Sequence, residues 1–164
     1  MPEEQPKSTQ LPPAGAIASH FLEATSENWF EYPVHVHPHH TDYAGVVWHG
    51  SYVAWMEEAR VEYLRSIGID YAYLVSLGCE LPVVEMSLHY HRSLRMGMTA
   101  VVKTRIDQMK GVRLIWDYQI KSPDGQELYV TGSVTLVGID TEQGKIMRKL
   151  PPVFQEALVK VSKP

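Results

Sequence analysis

The second half of the chain alternates apolar and polar residues with a period of two over four consecutive segments. In the clearest segment, Leu114, Trp116 and Tyr118 alternate with residues that are charged or polar except for Ile115. This period is typical of a β-strand with one buried face. Glycine and proline residues between the segments favour turns, so the sequence predicts four antiparallel strands in a meander. The predicted strands cover residues 84–91, 100–107, 112–121 and 127–140.

A helical period precedes these strands. From Ser51 to Ile67 the apolar residues fall three and four positions apart, which predicts a long helix with a wide buried stripe. Gly68 is expected to end this helix, and Asp70 to cap a short helix that ends at Gly78. The stripe contains Tyr52, Trp55, Met56, Ala59, Tyr63 and Ile67, widened by Val53 and Leu64; the polar remainder is Glu57, Glu58, Arg60, Glu62 and Arg65.

The first predicted strand lies in "FEYPVHVHP", with its limits at Pro33 and Pro38, and a short helix is expected in "PPVFQEALVKV" near the end of the chain. The economical packing of these elements is an α+β fold in which a five-stranded antiparallel sheet wraps around the long helix. Residues 1–15 are rich in proline and polar residues, and residues 1–30 are expected to form a partly flexible N-terminal extension. The folded domain is expected to cover residues 31–164.

Length, charge and cysteine content limit the possible classes of protein. A chain of 164 residues suits one domain with its own core. Its net charge of -4 argues against a nucleic-acid partner, because phosphate binding normally requires a basic surplus. No segment approaches the length of an apolar membrane span, so no membrane partner is expected. The single cysteine, Cys79, cannot form an internal disulfide, which favours a cytoplasmic location.

Four histidines lie in the segment "HPHHTDYAGVVWHG", which raises the possibility of a metal site. A catalytic metal needs about three converging imidazole or carboxylate ligands. The spacing His-Glu-x-x-His is absent, His39 and His40 are adjacent in a predicted loop, and no cysteine lies near. We therefore expect no metal in this segment.

Asp42 lies on the loop between the first strand and the long helix. The first turn of a helix carries unpaired N–H groups and the positive end of the helix dipole, which can polarise a carbonyl oxygen. A carboxylate nearby could attack that carbonyl or activate water, a pairing that suits acyl transfer. Gly45 and Gly50 would allow the loop to bend and a substrate to approach the backbone. An aspartate in a loop is also a common turn-former, so both interpretations stay open.

The stretch "HHTDYAGVVWHGSYVAWMEEARVEYLRSIGI" resembles the signature of the hotdog-fold acyl-CoA thioesterases related to 4-hydroxybenzoyl-CoA thioesterase. Asp42, Gly45, Val47 and Tyr52 match the family spacing Asp-x-x-Gly-x-Val-x-x-x-x-Tyr, and His49 matches the histidine of the acyl-CoA thioesterase branch. The later stretch "PVVEMSLHYHRSLRMGM" is similar to the strand and basic turn that follow in the family. The resemblance covers roughly residues 32–140 and implies the hotdog fold.

The same resemblance implies an enzyme that hydrolyses an acyl-CoA or aroyl-CoA thioester. Asp42 would be the nucleophile or general base, and the backbone N–H near His49 would polarise the thioester carbonyl. Coenzyme A would belong to the substrate, so no cofactor is expected. Glu58 is an alternative catalytic carboxylate, because some hotdog thioesterases use a glutamate on the central helix. A non-catalytic acyl-CoA-binding module and a hotdog dehydratase or hydratase stay open as alternatives.

Residues beside Asp42 are expected to contact the substrate: Tyr43, Val47, Trp48 and Gly50. Arg92 and Arg95 are expected to bind the phosphates of coenzyme A, with His91, Lys110 and Arg113 as further basic candidates near strand ends. Hotdog proteins place their sites between protomers. The resemblance therefore also implies a homodimer, assembled into a homotetramer.

Overall fold

A computed structural model describes residues 28–161. The predictions about residues 1–27 lie outside the described residues. The elements in chain order are β1 (Phe30–His35), a 3-10 turn (Pro38–His40), α1 (His49–Ser66), α2 (Tyr71–Ser76), β2 (Cys79–Glu80), β3 (Val83–Tyr90), β4 (Thr99–Lys110), β5 (Arg113–Lys121), β6 (Leu128–Val137), β7 (Ile139–Asp140), β8 (Lys145–Ile146) and α3 (Pro152–Val161). Both predicted short helices are present, and Asp70 caps α2 as expected.

Five of the strands form one antiparallel sheet in the order β1-β4-β5-β6-β3. The predicted α+β fold with a five-stranded antiparallel sheet is confirmed. The predicted four-strand meander is wrong, because β3 pairs with β6 and forms an edge of the sheet. Alternation shows which face of a strand is apolar but not which strand lies beside it. The expected last strand is also shorter, since Gly138 separates β6 from β7.

Pro33 does not limit the first strand. The strand β1 begins at Phe30 and runs through Pro33, which lies opposite Val101 of β4. Because β1 is the other edge of the sheet, a residue without an N–H group can lie in it at no cost in sheet hydrogen bonds. The strand therefore brings the chain directly to the 3-10 turn that precedes Asp42.

The helix α1 packs its predicted stripe into the core, where Trp55, Met56, Ala59 and Leu64 are at most 2% exposed. The assignment of Arg60 to the polar side was wrong, since this residue is buried. Its guanidinium Nη1 donates to the hydroxyl of Tyr118 at 2.9 Å, and its Nε donates to the hydroxyl of Tyr71 at 3.5 Å. A guanidinium can lie in the core when its N–H groups find such acceptors.

No helix within residues 28–161 has both the length and the apolar character needed to cross a membrane.

Candidate active site

The backbone around Asp42 forms a tight turn. The Asp42 carbonyl accepts the N–H of Gly45 at 3.0 Å, and the Asp42 N–H donates to the carbonyl of Val46 at 2.8 Å. Gly45 has a φ of +74°, a left-handed conformation that glycine adopts without strain. These bonds therefore fix the position of Asp42 at the beginning of a turn in the loop between β1 and α1.

The two carboxylate oxygens of Asp42 have different surroundings. Oδ1 accepts the N–H groups of Ala44 at 2.9 Å and Val46 at 3.1 Å. Within residues 28–161, Oδ2 has no hydrogen-bond donor. One oxygen of Asp42 thus forms the turn that sequence reasoning allowed, while the second oxygen is available for chemistry. The two interpretations of this aspartate are compatible.

The first turn of α1 offers unpaired backbone donors. The helix begins at His49, and the side chain of Trp48 makes no capping bond. The N–H of Trp48 donates to the carbonyl of His40, and the N–H of Ser51 donates to the carbonyl of Trp48. In the described part of the chain the N–H groups of His49 and Gly50 have no acceptor. These donors and the helix dipole favour an oxygen atom that carries negative charge.

Asp42 and the start of α1 line the same cavity, which has a volume of about 310 Å³. The cavity brings together five of the predicted site residues: Asp42, Val47, Trp48, His49 and Arg92. Four further residues complete its lining: Tyr52, Tyr90, His91 and Ser93. The candidate nucleophile or base and the candidate carbonyl-polarising groups are therefore neighbours, as acyl transfer requires.

Tyr90 and Ser93 were not predicted as site residues. Tyr90 ends β3, and its hydroxyl donates to the carbonyl of His49 at 3.4 Å. Its position in "HYHRS", beside the predicted basic turn, was the available signal. The contact with His49 joins residues 41 positions apart, which a local pattern does not show.

Three predicted substrate-binding residues do not line the cavity. Tyr43 is fully exposed at the tip of the turn. Gly50 lies beneath the indole of Trp48, and a Cβ at Gly50 would lie 2.0 Å from that ring. Arg95 is exposed and pairs with Val46 through the backbone, and within residues 28–161 its side chain forms no ion pair.

The basic residues divide into two groups. Arg92 lines the cavity and forms an ion pair with Glu127, and the His91 Nε2 lies 2.8 Å from the Thr131 hydroxyl. Lys110 and Arg113 pair with each other at the turn between β4 and β5 and do not line the cavity. Of the predicted phosphate ligands, only Arg92 and His91 are thus placed at the cavity.

The alternative carboxylate, Glu58, lies outside the cavity. Its Oε2 accepts the hydroxyl of Tyr32 at 3.1 Å, in a separate groove between β1 and α1. Burial raises the pKa of the Tyr32 hydroxyl, and the bond to Glu58 raises it further. The structure thus gives Glu58 a partner on β1 and separates it from Asp42.

The histidines that precede Asp42 pack on one another. The rings of His37 and His39 stack with centroids 5.7 Å apart, and the His40 ring meets the edge of Trp55 at 5.0 Å. Burial lowers the pKa of His40, and the neighbouring His39 and His37 lower it further. Among residues 28–161, no three histidine, cysteine, aspartate or glutamate residues are arranged to hold a metal ion.

Comparison with known proteins gives consistent results. The model of the thioesterase-like superfamily matches residues 36–158. The protein sll0410 of Synechocystis is 55% identical over 157 residues, which are 93% of this chain and 95% of that protein. The acyl-CoA thioester hydrolase YbgC of Escherichia coli O157:H7 is 34% identical over 91 residues, which are 56% of this chain and 68% of that protein.

A solved structure gives the same picture. The 1,4-dihydroxy-2-naphthoyl-CoA thioesterase of Synechocystis superposes with a TM-score of 0.75 at 26% identity, covering 83% of this chain and 99% of that one. The expected hotdog fold is confirmed, as is the expected class of enzyme, a thioester hydrolase. The chain belongs to the thioesterase-like superfamily.

Proposed function

We propose that this protein hydrolyses an acyl-CoA or aroyl-CoA thioester in the cavity lined by Asp42 and His49, giving a free acid and coenzyme A. The observation that carries the proposal is the shared cavity: an aspartate with one uncommitted oxygen lines the same space as the start of α1. Thioester hydrolysis needs both a group that delivers oxygen to the carbonyl carbon and donors that stabilise the oxyanion.

Asp42 has two possible roles in this reaction. Its Oδ2 can attack the carbonyl carbon, which breaks the C–S bond, forms an anhydride and releases the thiolate of coenzyme A. Alternatively, it takes a proton from a water molecule that attacks the same carbon. Both roles need the free oxygen at the same place, and both consume one water molecule per thioester. The reaction needs no cofactor, since water is the only co-substrate.

The start of α1 supplies the electrophilic half of the site. A thioester carbonyl that points to the N–H group of His49, which lines the cavity, is polarised by this donor and by the helix dipole. The N–H group and the helix dipole are fixed before the substrate binds, so they need little reorganisation in the transition state. The His49 imidazole lines the same cavity and can orient the water molecule or the substrate.

The coenzyme A portion fits the basic rim of the cavity. Arg92 and His91 are its basic residues after the end of β3. The ion pair with Glu127 holds the Arg92 guanidinium in place but leaves donors free, because a guanidinium carries five N–H groups. We therefore assign phosphate binding to Arg92, which lines the cavity, and not to Arg95, which does not.

Two relatives from Synechocystis narrow the choice of acyl group. This chain is 55% identical to sll0410 of Synechocystis and 26% identical to a 1,4-dihydroxy-2-naphthoyl-CoA thioesterase of Synechocystis. Since this chain is much more similar to sll0410 than to the naphthoyl-CoA thioesterase, we expect its substrate to differ from that of the latter. We therefore propose an acyl or aroyl group other than 1,4-dihydroxy-2-naphthoyl.

The exposed edge strand β3 supports a homodimer. Val83, Val84, Met86 and Tyr90 on this strand are 40–50% exposed, and an open apolar edge is a site for pairing with another strand. Because Tyr90 also lines the cavity, a second copy paired with β3 would cover the site. We propose that two copies meet at β3; assembly of the dimer into a homotetramer remains a prediction from the family resemblance.

The test is release of free coenzyme A from a panel of acyl-CoA and aroyl-CoA esters, including 1,4-dihydroxy-2-naphthoyl-CoA. We expect hydrolysis of at least one ester other than the naphthoyl ester. The same acyl group carried on pantetheine, without the nucleotide, should show a higher KM. Arg92→Ala should raise KM for the coenzyme A ester and leave KM for the pantetheine ester unchanged.

The possible outcomes are distinct. Binding of the esters without release of coenzyme A would contradict hydrolysis and indicate a non-catalytic binding module. A preference for the naphthoyl ester would overturn the substrate assignment alone. An equal effect of Arg92→Ala on both kinds of ester would overturn the phosphate assignment alone.

A further inference from the structure

Two consecutive hydroxyl side chains in the first turn of α1 reach the loop that carries Asp42. Ser51 and Tyr52 are both buried, with exposures of 8% and 3%. Each forms a hydrogen bond to the backbone of a distant segment. The Ser51 bond reaches the beginning of the Asp42 loop directly, and the Tyr52 bond reaches its end through the peptide groups of Leu94.

The Ser51 bond holds the segment before Asp42. Its Oγ donates to the carbonyl of His40 at 2.8 Å. The same carbonyl accepts the N–H of Trp48 at 3.0 Å. His40 lies two residues before Asp42, so these two hydrogen bonds attach the chain just before Asp42 to the start of the helix.

The Tyr52 bond holds the segment after Asp42 through a relay. The Tyr52 hydroxyl accepts the N–H of Leu94 at 3.1 Å, and the carbonyl of Leu94 accepts the N–H of Val47 at 2.9 Å. Leu94 is fully buried, so its N–H has no access to water. Val47 pairs in turn with Thr41, which closes the base of the Asp42 turn.

We propose that Ser51 and Tyr52 are positioning residues that fix the Asp42 carboxylate relative to the free N–H groups at the start of α1. The inference rests on the proposed hydrolysis at Asp42. Bonds within the turn shape the loop, and contacts with residues 95 and 96 attach it to the next segment. The two hydroxyls tie it to the helix itself, so they set the distance between the attacking oxygen and the polarising donors.

Small errors in this distance affect the reaction more than they affect folding. A misplacement of about 1 Å in reacting groups can cost a large factor in rate. Loss of either hydroxyl is therefore expected to lower kcat in a protein that remains folded. Binding of the coenzyme A portion involves other residues, so KM should change less.

The test compares two pairs of substitutions on the same helix. Ser51→Ala and Tyr52→Phe remove the two hydroxyls of the first turn. Ser66→Ala and Tyr63→Phe remove a serine and a tyrosine hydroxyl near its end, where the Ser66 hydroxyl donates to the carbonyl of Tyr63, three residues earlier. We expect kcat to fall about tenfold in each variant of the first pair, the factor that corresponds to one buried hydrogen bond, and less than about twofold in the second pair.

A double-substitution cycle separates positioning from an independent effect. If Tyr52 acts through Asp42, Tyr52→Phe should lower the residual rate of Asp42→Asn far less than it lowers the rate of the unchanged protein. Equal losses on both backgrounds would overturn the proposal. Equal kcat values for the two pairs of variants would overturn it as well.

Amide hydrogen exchange tests the relay without any assay of activity. Tyr52→Phe should speed exchange at Leu94 and Val47 by at least about tenfold, and Tyr63→Phe should leave both amides unchanged. Unchanged exchange in Tyr52→Phe would refute the relay. If the unchanged protein hydrolyses no thioester, the proposed function fails, and exchange still reports whether these hydroxyls hold the loop.

Discussion

The start and the interior of α1 differ in how their polar groups are satisfied. At its start, the N–H groups of His49 and Gly50 have no acceptor among residues 28–161, and the neighbouring Asp42 keeps one oxygen free. Further along, Arg60 is buried, and its guanidinium bonds to the hydroxyls of Tyr118 and Tyr71. The start of the helix leaves its polar groups open to a ligand, whereas Arg60, in the interior of the helix, forms its hydrogen bonds inside the protein.

This difference separates function from stability along one helix. Unsatisfied groups at a cavity can bind a substrate, but they add little to folding. Satisfied groups in the core stabilise the fold, and their loss leaves buried partners without hydrogen bonds. Changes at the start of α1 should therefore alter activity, and changes at its buried part should alter the free energy of unfolding.

The largest effect on stability is expected for Arg60→Ala, which removes a buried side chain and leaves the Tyr118 hydroxyl without its donor. The free energy of unfolding should fall by about 3 kcal/mol, measured by urea unfolding. Arg60→Met fills more of the space and should cost less than Arg60→Ala. The kcat of the folded protein should stay the same in both variants. If either Arg60 variant lost as much kcat as Asp42→Asn, the separation of function from stability along α1 would be contradicted.

The position of Arg60 shows where sequence reasoning failed. A charged residue between Ala59 and Tyr63 was assigned to the polar side by its type, although its neighbours belong to the buried stripe. Its partner Tyr118 lies 58 residues away, so no local pattern indicated the bond. The alternation of β5 was sufficient to place Leu114 and Trp116 in the core, because burial of one face depends only on the period of the strand.

The two glycines at the ends of α1 should respond differently to alanine. At Gly50 a Cβ would meet the indole of Trp48, which is half exposed and can swing away. Because alanine favours the helix, Gly50→Ala should not reduce stability. It should raise KM by about fivefold, because a displaced Trp48 no longer walls the cavity, and a fivefold change corresponds to about 1 kcal/mol.

Gly68 is the matched position. It has a φ of +86° and open space around its Cα, so Gly68→Ala meets backbone strain but no neighbour. This variant should lose about 1 kcal/mol of stability and keep its KM. If Gly68→Ala changed KM as much as Gly50→Ala did, the proposed difference between the two ends of the helix would be contradicted. Steady-state kinetics and urea unfolding measure both quantities.

Sequence reasoning singled out the candidate reacting groups of the site but not the side chains that hold the Asp42 loop. The family spacing identified Asp42 and the start of the helix, and the structure places both at one cavity. Ser51 was not singled out, and Tyr52 was recognised only as a motif and stripe residue, since each forms its supporting bond with a residue distant in the sequence. Tyr43 was included because it follows Asp42, and Arg95 because it is a basic residue near a strand end, but neither property sets the direction of a side chain.

The smallest effect on stability is expected from the protonation of His40, which lies beside the start of α1. Its Nδ1 accepts the N–H of His37 at 3.0 Å, which requires an unprotonated Nδ1. Burial lowers the pKa of His40 from its usual 6.5, and His39 and His37 lower it further, while Glu58 opposes the shift. The folded protein thus binds this proton less tightly than the unfolded chain. The stabilising effect is complete above pH 6.5 and is lost as the pH falls through the lowered pKa.

The measurement compares urea unfolding at about pH 7.5 and about pH 5.5. His40→Gln keeps a hydrogen-bond acceptor but cannot take up the proton, so its stability should fall less with pH than that of the unchanged protein. His89→Gln, on the edge strand β3, provides the control. The same pH dependence in His40→Gln and His89→Gln would show that His40 does not contribute.

The central claim is that Asp42 acts in the reaction through its free oxygen, and a second aspartate offers a close control. Asp42 and Asp70 each accept, through Oδ1, the N–H of an alanine two residues later, at 2.9 Å and 2.8 Å. Asparagine preserves that bond in both places, but only Asp42 lines the cavity. On the preferred thioester, Asp42→Asn should lower kcat by at least about 100-fold, whereas Asp70→Asn should change it by less than about twofold. Equal kcat values for the two variants would contradict the account.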